Sequence, residues 1–145
     1  MFSEKLKKKQ RVLIIDDDEE DRNLIRLYLE KSGYTDILQA ASGTEGIRKA
    51  RKMKPDVIVI DTVLPDIDGF GVCRTLSNDH SVESKFLVMT GVAQFVDIEK
   101  ALAEGADSYC LKSFTFESVV REILQLLKGE ASPGQKPDIH EEREP

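Results

Sequence analysis

Asp61 ends an unbroken β-branched run, Val57-Ile58-Val59-Ile60, and is followed by the turn-rich stretch Leu64-Pro65-Asp66-Ile67-Asp68-Gly69. Such a run is the pattern of a strand buried on both faces of a parallel sheet, and an acid at its carboxyl end sits where open α/β sheets bind ligands. Three other apolar runs also end in chemistry-bearing side chains: Val12–Ile15 in Asp16-Asp17, Phe86–Met89 in Thr90-Gly91, and Ser108–Leu111 in Lys112. In one parallel sheet these ends share an edge, so residues far apart in the chain converge in one crevice. Three carboxylates brought together repel one another unless a cation compensates, and oxygen-only ligands suit a hard ion such as Mg²⁺. An opposing lysine would bind an anion. Carboxylates, Mg²⁺, a lysine and a hydroxyl together fit phosphoryl chemistry, with Asp61 as the nucleophile that becomes an aspartyl phosphate.

Positioning these groups requires strands and helices in alternation, and the chain supplies five rounds of it. The acidic run Asp16 to Asp21 leads from the first strand into a helix whose stripe is Leu24, Ile25, Tyr28 and Leu29, closed by Gly33. The macrodipole explains Asp18, Glu19, Glu20 and Asp21 at that helix start, and leaves Asp16 and Asp17 for the site. Asp36 to Ala40 reads as the second strand, and Ser42-Gly43-Thr44-Glu45 as a capping box opening a helix to about Met53, stopped by Pro55. Phe70 to Leu76 is a short third helix, Phe95 to Ala103 a fourth stopped by Gly105, and Thr115 is expected to cap a fifth with Val119, Val120, Ile123, Leu124 and Leu127 inward. The expectation is a doubly wound α/β domain over residues 11–128, with a basic leader 1–10 and a disordered tail or linker 129–145.

Composition narrows the function classes. At 145 residues the chain can bury roughly 70% of its unfolded surface, enough for one core. A net charge of −6 argues against direct nucleic-acid binding, which needs a basic surface. No apolar run approaches the ~18 residues of a membrane span and no signal peptide opens the chain, so a cytoplasmic protein is expected. Cys73 and Cys110 lack metal-ligand spacing and read as reduced thiols. His80 and His140 sit in polar segments and read as surface residues.

The order Asp16-Asp17, Asp61 with Leu64-Pro65 and Asp68-Gly69, Thr90-Gly91, Gly105-Ala106 and Lys112 closely resembles the receiver domain of two-component response regulators, over about Val12 to Lys128. The resemblance implies a five-stranded parallel sheet of order 2-1-3-4-5 flanked by five helices. It implies Asp61 as phosphoacceptor for a histidine kinase or phosphotransfer protein, and Mg²⁺ held by Asp17, Asp61 and the Val63 backbone carbonyl, with Asp16 acting through water. Lys112 would pair with the phosphoryl oxygens and Thr90 would be drawn toward them, while Tyr109 would be the aromatic switch. Partners would read the fourth helix, fifth strand and fifth helix, the target being a separate protein or an output domain missing from this chain. A phosphorylation-dependent dimer is a further option.

The chain departs from the family in one place: Ser113 follows the lysine where proline is usual, and a cis bond before a non-proline costs about 2.5–4 kcal/mol. In the family the positions two residues after Asp61 and Thr90 tune phosphoryl lifetime by controlling water access, so the resemblance implies that apolar Val63 and Val92 there give a long-lived phosphoryl state. Catalysis would be confined to the chain's own phosphorylation and dephosphorylation. Two alternatives stand beside this reading: a receiver-like interaction module without phosphoryl turnover, and a Mg²⁺-dependent aspartyl phosphohydrolase. Against the latter, Val63 occupies the place where such enzymes carry a second, general-acid aspartate.

Overall fold

The computed structural model describes residues 9–91, 95–112 and 115–129. The leader 1–8, the tail 130–145, and Val92, Ser113 and Phe114 lie outside the described residues, and with them His140 and the Lys112–Ser113 bond. The elements alternate throughout: β1 (Arg11–Ile15), α1 (Glu19–Lys31), β2 (Asp36–Ala40), α2 (Gly43–Met53), β3 (Val57–Asp61), α3 (Gly69–Ser77), β4 (Lys85–Thr90), α4 (Phe95–Ala103), β5 (Ser108–Leu111) and α5 (Glu117–Lys128). The strands form one sheet in the order β2-β1-β3-β4-β5, every pairing parallel, as the sequence predicts.

The two-faced burial of β3 sets the layers. Val57 and Val59 face one core with Val12, Ile14, Leu87 and Met89, roofed by Ile25 and Leu29 of α1 and Val119, Ile123 and Leu127 of α5. Ile58 and Ile60 face the other with Leu13, Ile15, Phe86 and Val88, roofed by Ala50 of α2, Val72, Cys73 and Leu76 of α3, and Ala101 of α4. All five residues of β3 are buried. Burying each large aliphatic side chain contributes roughly 1.5–3 kcal/mol, so both faces of the central strand are tightly held. Both thiols are buried, and burial pushes Cys73 and Cys110 up to about 12, which keeps them unreactive.

The ends of the helices follow their capping residues, with one correction. Asp18 caps α1, its carboxylate accepting from the amides of Glu20 and Asp21; Asp68 caps α3 by accepting from Gly71. At α2 the Ser42 hydroxyl accepts from the Glu45 amide, and the Glu45 carboxylate reaches back to the Ala41 amide at 2.9 Å. Thr115 is not the cap of α5. That place falls to Phe116, in the left-handed region with φ 58°, and Thr115 Oγ1 accepts only a 3.4 Å contact from the Glu117 amide. Phe116 is 6% exposed, so burying its ring on the α1/α5 core takes precedence over side-chain capping. A second departure lies in the same helix: Glu122 is buried on its core face, its Oε1 accepting from the Ser108 hydroxyl at 2.7 Å. A hydroxyl on the neighbouring strand lets an acid stand where periodicity calls for an apolar residue.

Gly69 joins this scaffold to the edge of the sheet. A Cβ there would lie 2.1 Å from the Asp61 carbonyl oxygen and 2.8 Å from Thr62 Cα, both backbone positions that cannot swing aside. The start of α3 therefore packs directly on the chain at Asp61, with the Gly69 amide donating to the Thr62 carbonyl at 3.0 Å. Gly69→Ala is expected to destabilise the fold by about 2 kcal/mol or more, read as a lowered urea midpoint at unchanged slope.

Candidate functional site

Register puts the acids side by side. Ile15 pairs with Ile60, so Asp16 and Asp61 follow at the same level of adjacent strands. One oxygen from each of Asp16, Asp17 and Asp61 lies within 4.8 Å of the others. At that separation two carboxylates repel by about 3 kcal/mol or more in a typical protein surface environment, so the cluster demands positive charge. Asp16 is fully buried, Asp61 is 6% exposed and Asp17 is exposed. Asp16 Oδ1 accepts from the Asp18 amide at 3.0 Å. Its Oδ2 is buried and has no well-aligned hydrogen-bond donor, although an ammonium lies 2.8 Å away. An under-satisfied buried oxygen beside two further carboxylates, one of them open to solvent, fits a hard divalent cation that keeps part of its water shell.

The cation the chain supplies is Lys112. Its Nζ stands 2.8 Å from Asp16 Oδ2, 2.9 Å from Asp21 Oδ2 and 3.1 Å from Asp61 Oδ2. The Lys112 amide donates to the Thr90 carbonyl at 2.8 Å, which continues the β4–β5 ladder one residue past β5 and aims the side chain across the edge. Burial works against the ammonium, but its ion pairs with Asp16 and Asp21 outweigh that cost and raise its pKa, so it stays charged. For Asp16 burial dominates: desolvation outweighs Lys112 and the Asp18 amide and pushes its pKa up to about 6, with the Asp61 charge adding to the rise.

Asp21 is the member of this set that reading the sequence assigns elsewhere. Its place in the first turn of α1 satisfies the macrodipole, and that accounts for an acid there without involving the site. The structure shows that the same turn faces the strand edge and that Asp21 is the third carboxylate on Lys112. A sequence signal existed: Asp21 lies in the first turn of α1, directly after the strand tip that carries Asp16 and Asp17.

Thr90 ends β4 next to Asp61, because Asp61 pairs with Met89. The same register sets Thr62 opposite Thr90, and the Thr62 hydroxyl donates to Thr90 Oγ1 at 3.1 Å in a buried contact. Thr62 is a second residue missed by sequence, though the aligned strand ends pointed to it. Val63 is 70% exposed at the mouth, its amide 3.4 Å from Asp61 Oδ1. Tyr109 pairs with Val88 and lies half-buried against the core under α3 and α4, one strand away from Thr90. Asp61, Thr62, Val63, Asp68, Phe70, Thr90, Gly91, Lys100 and Lys112 line a cavity of about 480 Å³. A larger groove of about 600 Å³ between α1 and α5, floored by Tyr28, Val120 and Leu124, shares none of these residues.

The loop after Asp61 is held from both sides. Asp68 caps α3, as a turn former should, but Asp66 does more. Its two oxygens accept from the amides of Gly43 and Thr44 at 2.8 and 2.9 Å, bolting the loop to the start of α2. Hydrogen bonds from the Thr44 hydroxyl and amide hold the Asp66 carboxyl well below the usual carboxylate range. Among the described residues no helix is long and apolar enough to cross a membrane.

Comparison with known proteins agrees with this architecture. The family model of the response regulator receiver domain matches residues 12–124. The chain is similar to the DNA-binding dual master transcriptional regulator RpaA of Synechocystis sp., at 37% identity over 119 residues, 81% of this chain and 49% of that one. It is similar to the alkaline phosphatase synthesis transcriptional regulatory protein PhoP of Bacillus subtilis, at 34% identity over 82% of this chain and 49% of that one. The chain thus spans about half the length of these curated relatives. Among solved structures, the signal receiver domain of the response regulator NarL from Mycobacterium tuberculosis superposes with a TM-score of 0.76 at 25% identity, covering 85% of this chain and 99% of that one.

The raised pKa of Asp16 makes a stability prediction with a definite sign. Without a divalent cation the folded chain holds a proton on Asp16 that the unfolded chain releases near pH 3.8. The Asp16 contribution is therefore fully present below pH 3.8 and is lost as pH rises through about 6, a loss on the order of 3 kcal/mol by pH 7. Urea midpoints measured in a chelator from pH 4 to 7 should fall in the parent relative to Asp16→Asn. Adding a divalent cation, which takes only the ionised carboxylate, should abolish that difference in slope.

Proposed function

The chain belongs to the response regulator receiver domain family, and from that premise we propose that it is a phosphorylation-controlled switch in which Asp61 accepts the phosphoryl group of a histidine kinase or phosphotransfer protein. The observation that carries this reading is the Lys112 ammonium 3.1 Å from Asp61 Oδ2 at the rim of a three-carboxylate cluster. A nucleophile, a cation for the phosphoryl oxygens and a seat for a hard ion stand in one crevice.

In this reading Asp16, Asp17 and Asp61, with the Val63 backbone carbonyl, would hold Mg²⁺. When bound, the ion would offset the repulsion among the carboxylates and the incoming phosphoryl charge. Asp61 attacks phosphorus, and the protein's own work is positioning. Lys112 moves from its carboxylate partners to the phosphoryl oxygens, and Asp16 is held for its role by the Asp18 amide. Thr90 is drawn to the phosphoryl group, and because its hydroxyl is bonded to that of Thr62, the two side chains shift together. Tyr109 rotates in response, changing the surface of α4, β5 and α5 that a partner reads.

Catalysis is confined to the chain's own phosphorylation and dephosphorylation. A phosphohydrolase is disfavoured because the position two after Asp61 carries Val63, with no proton to give. The curated relatives are named as transcriptional regulators, and the match covers only about half of their length, which supports an output function supplied by a further domain or by a docked protein.

Intact-protein mass after incubation with acetyl phosphate, with and without Mg²⁺, tests the reading. One phosphoryl adduct is expected in the parent with Mg²⁺, and none without Mg²⁺ or in Asp61→Asn. Absence of an adduct together with absence of beryllofluoride binding would leave the interaction-module alternative standing.

A further inference from the structure

The crevice holds a second cation. Lys100, on α4, lines the same cavity as Asp61, Thr90 and Lys112. Its ammonium sits 4.7 Å from the centroid of the Phe70 ring, and Phe70, 8% exposed at the start of α3, lines that cavity too. The face of a ring carries negative quadrupole charge, so Phe70 gives the long lysine a preferred resting place at the cavity wall. The two lysines arrive from opposite sides of the sheet. Lys112 is tied to Asp16 and to Asp21 of α1, on the face covered by α1 and α5. Lys100 belongs to the helix whose Ala101 packs on the other face, beneath α3. The ion pairs seen at Lys112 engage Asp16, Asp21 and Asp61, and the contact seen at Lys100 is with an aromatic ring.

We propose that Lys100 is a specificity residue for small-molecule phosphodonors, placed to meet an anionic leaving group, so that it speeds transfer from small acyl phosphates relative to phosphoramidate. The inference rests on Asp61 being the phosphoacceptor. An in-line displacement puts the nucleophile and the leaving group on opposite sides of phosphorus. Lys112 is bonded to Asp61 itself and serves the nucleophile side and the phosphoryl oxygens. The cavity of about 480 Å³ is larger than a phosphoryl group needs and extends to Phe70 and Lys100, which leaves the departing fragment beside the second cation.

The two donor classes differ in what departs. With acetyl phosphate, an Asp61 carboxylate oxygen forms its bond to phosphorus as the acyl P–O bond breaks, and acetate leaves with that electron pair as an anion. With phosphoramidate the P–N bond breaks, and nitrogen, already protonated in the reactive form, leaves as neutral ammonia. Only the first develops negative charge for Lys100 to stabilise, and stabilisation confined to the transition state acts on rate.

The experiment compares the rate constants of Asp61 phosphorylation by acetyl phosphate and by phosphoramidate at saturating Mg²⁺. The full chain, Lys100→Gln and Lys100→Arg are measured side by side. A single exposed charge in contact with the leaving group corresponds to about a fivefold effect. The acetyl phosphate to phosphoramidate ratio is therefore expected to fall about fivefold in Lys100→Gln and to recover in Lys100→Arg. In the parent, the ratio should drop toward the Gln value as salt approaches 1 M. A role in packing alone would move both rates together, so an unchanged ratio with a normal parent adduct overturns this inference and leaves the phosphoacceptor reading intact. Absence of a parent adduct with either donor overturns this inference, and together with absence of beryllofluoride binding it overturns the phosphoacceptor reading as well.

Discussion

Charge balance at the carboxyl edge of the sheet is the condition on which the rest of this molecule depends. Asp16, Asp21 and Asp61 converge on one ammonium, and Asp17 stands beside them. Such a set is stable only while the positive charge stays within hydrogen-bond reach of buried oxygens, because water cannot take its place at Asp16. The ammonium reaches them because the β4–β5 ladder is carried one residue past β5, to the Lys112 amide. The strand ends must therefore be held in register to within a fraction of a residue spacing.

The two apolar layers supply that rigidity. Alternate residues of β1, β3 and β4 lock into separate cores, and slipping any strand by one position would exchange the two faces. The loops above the edge are fastened by polar contacts. Asp66 ties the loop after Asp61 to α2, Asp68 ties it to α3, and Gly69 allows α3 to sit against the Asp61 carbonyl. The crevice is thus stiff in its floor and on the α2–α3 side. Its other walls come from α1 through Asp21 and from α4 through Lys100, one helix from each layer. A charge added at Asp61 would be felt by both.

Buried polar groups away from the crevice show how the fold accommodates exceptions. Glu122 is admitted to the α5 core face because Ser108 gives it a hydrogen bond. Phe116 accepts a left-handed backbone because its ring is worth more inside than a side-chain cap would be outside. In both cases a tertiary partner overrides a local preference.

Sequence alone determined the strands, their alternation with helices, and the four groups Asp16, Asp17, Asp61 and Lys112, because two-faced strands are unbroken apolar runs and a parallel sheet brings their ends to one edge. It also carried the Ser42 capping box, which acts on an amide three residues away, whereas Asp18 and Asp68, read as a dipole acid and a turn former, prove to cap their helices. What only the tertiary structure decided are contacts between segments whose separation local chemistry does not encode. Asp21 looked complete as a helix-dipole acid until Lys112, 91 residues on, was brought against it. Asp66 looked like a turn former until the start of α2 appeared beneath its carboxylate, and Thr62 and Lys100 gained meaning only from register and from the shared cavity. Periodicity and capping act over a few residues and are written in the chain, whereas electrostatic partners are chosen by proximity in space, which exists only once both cores have closed.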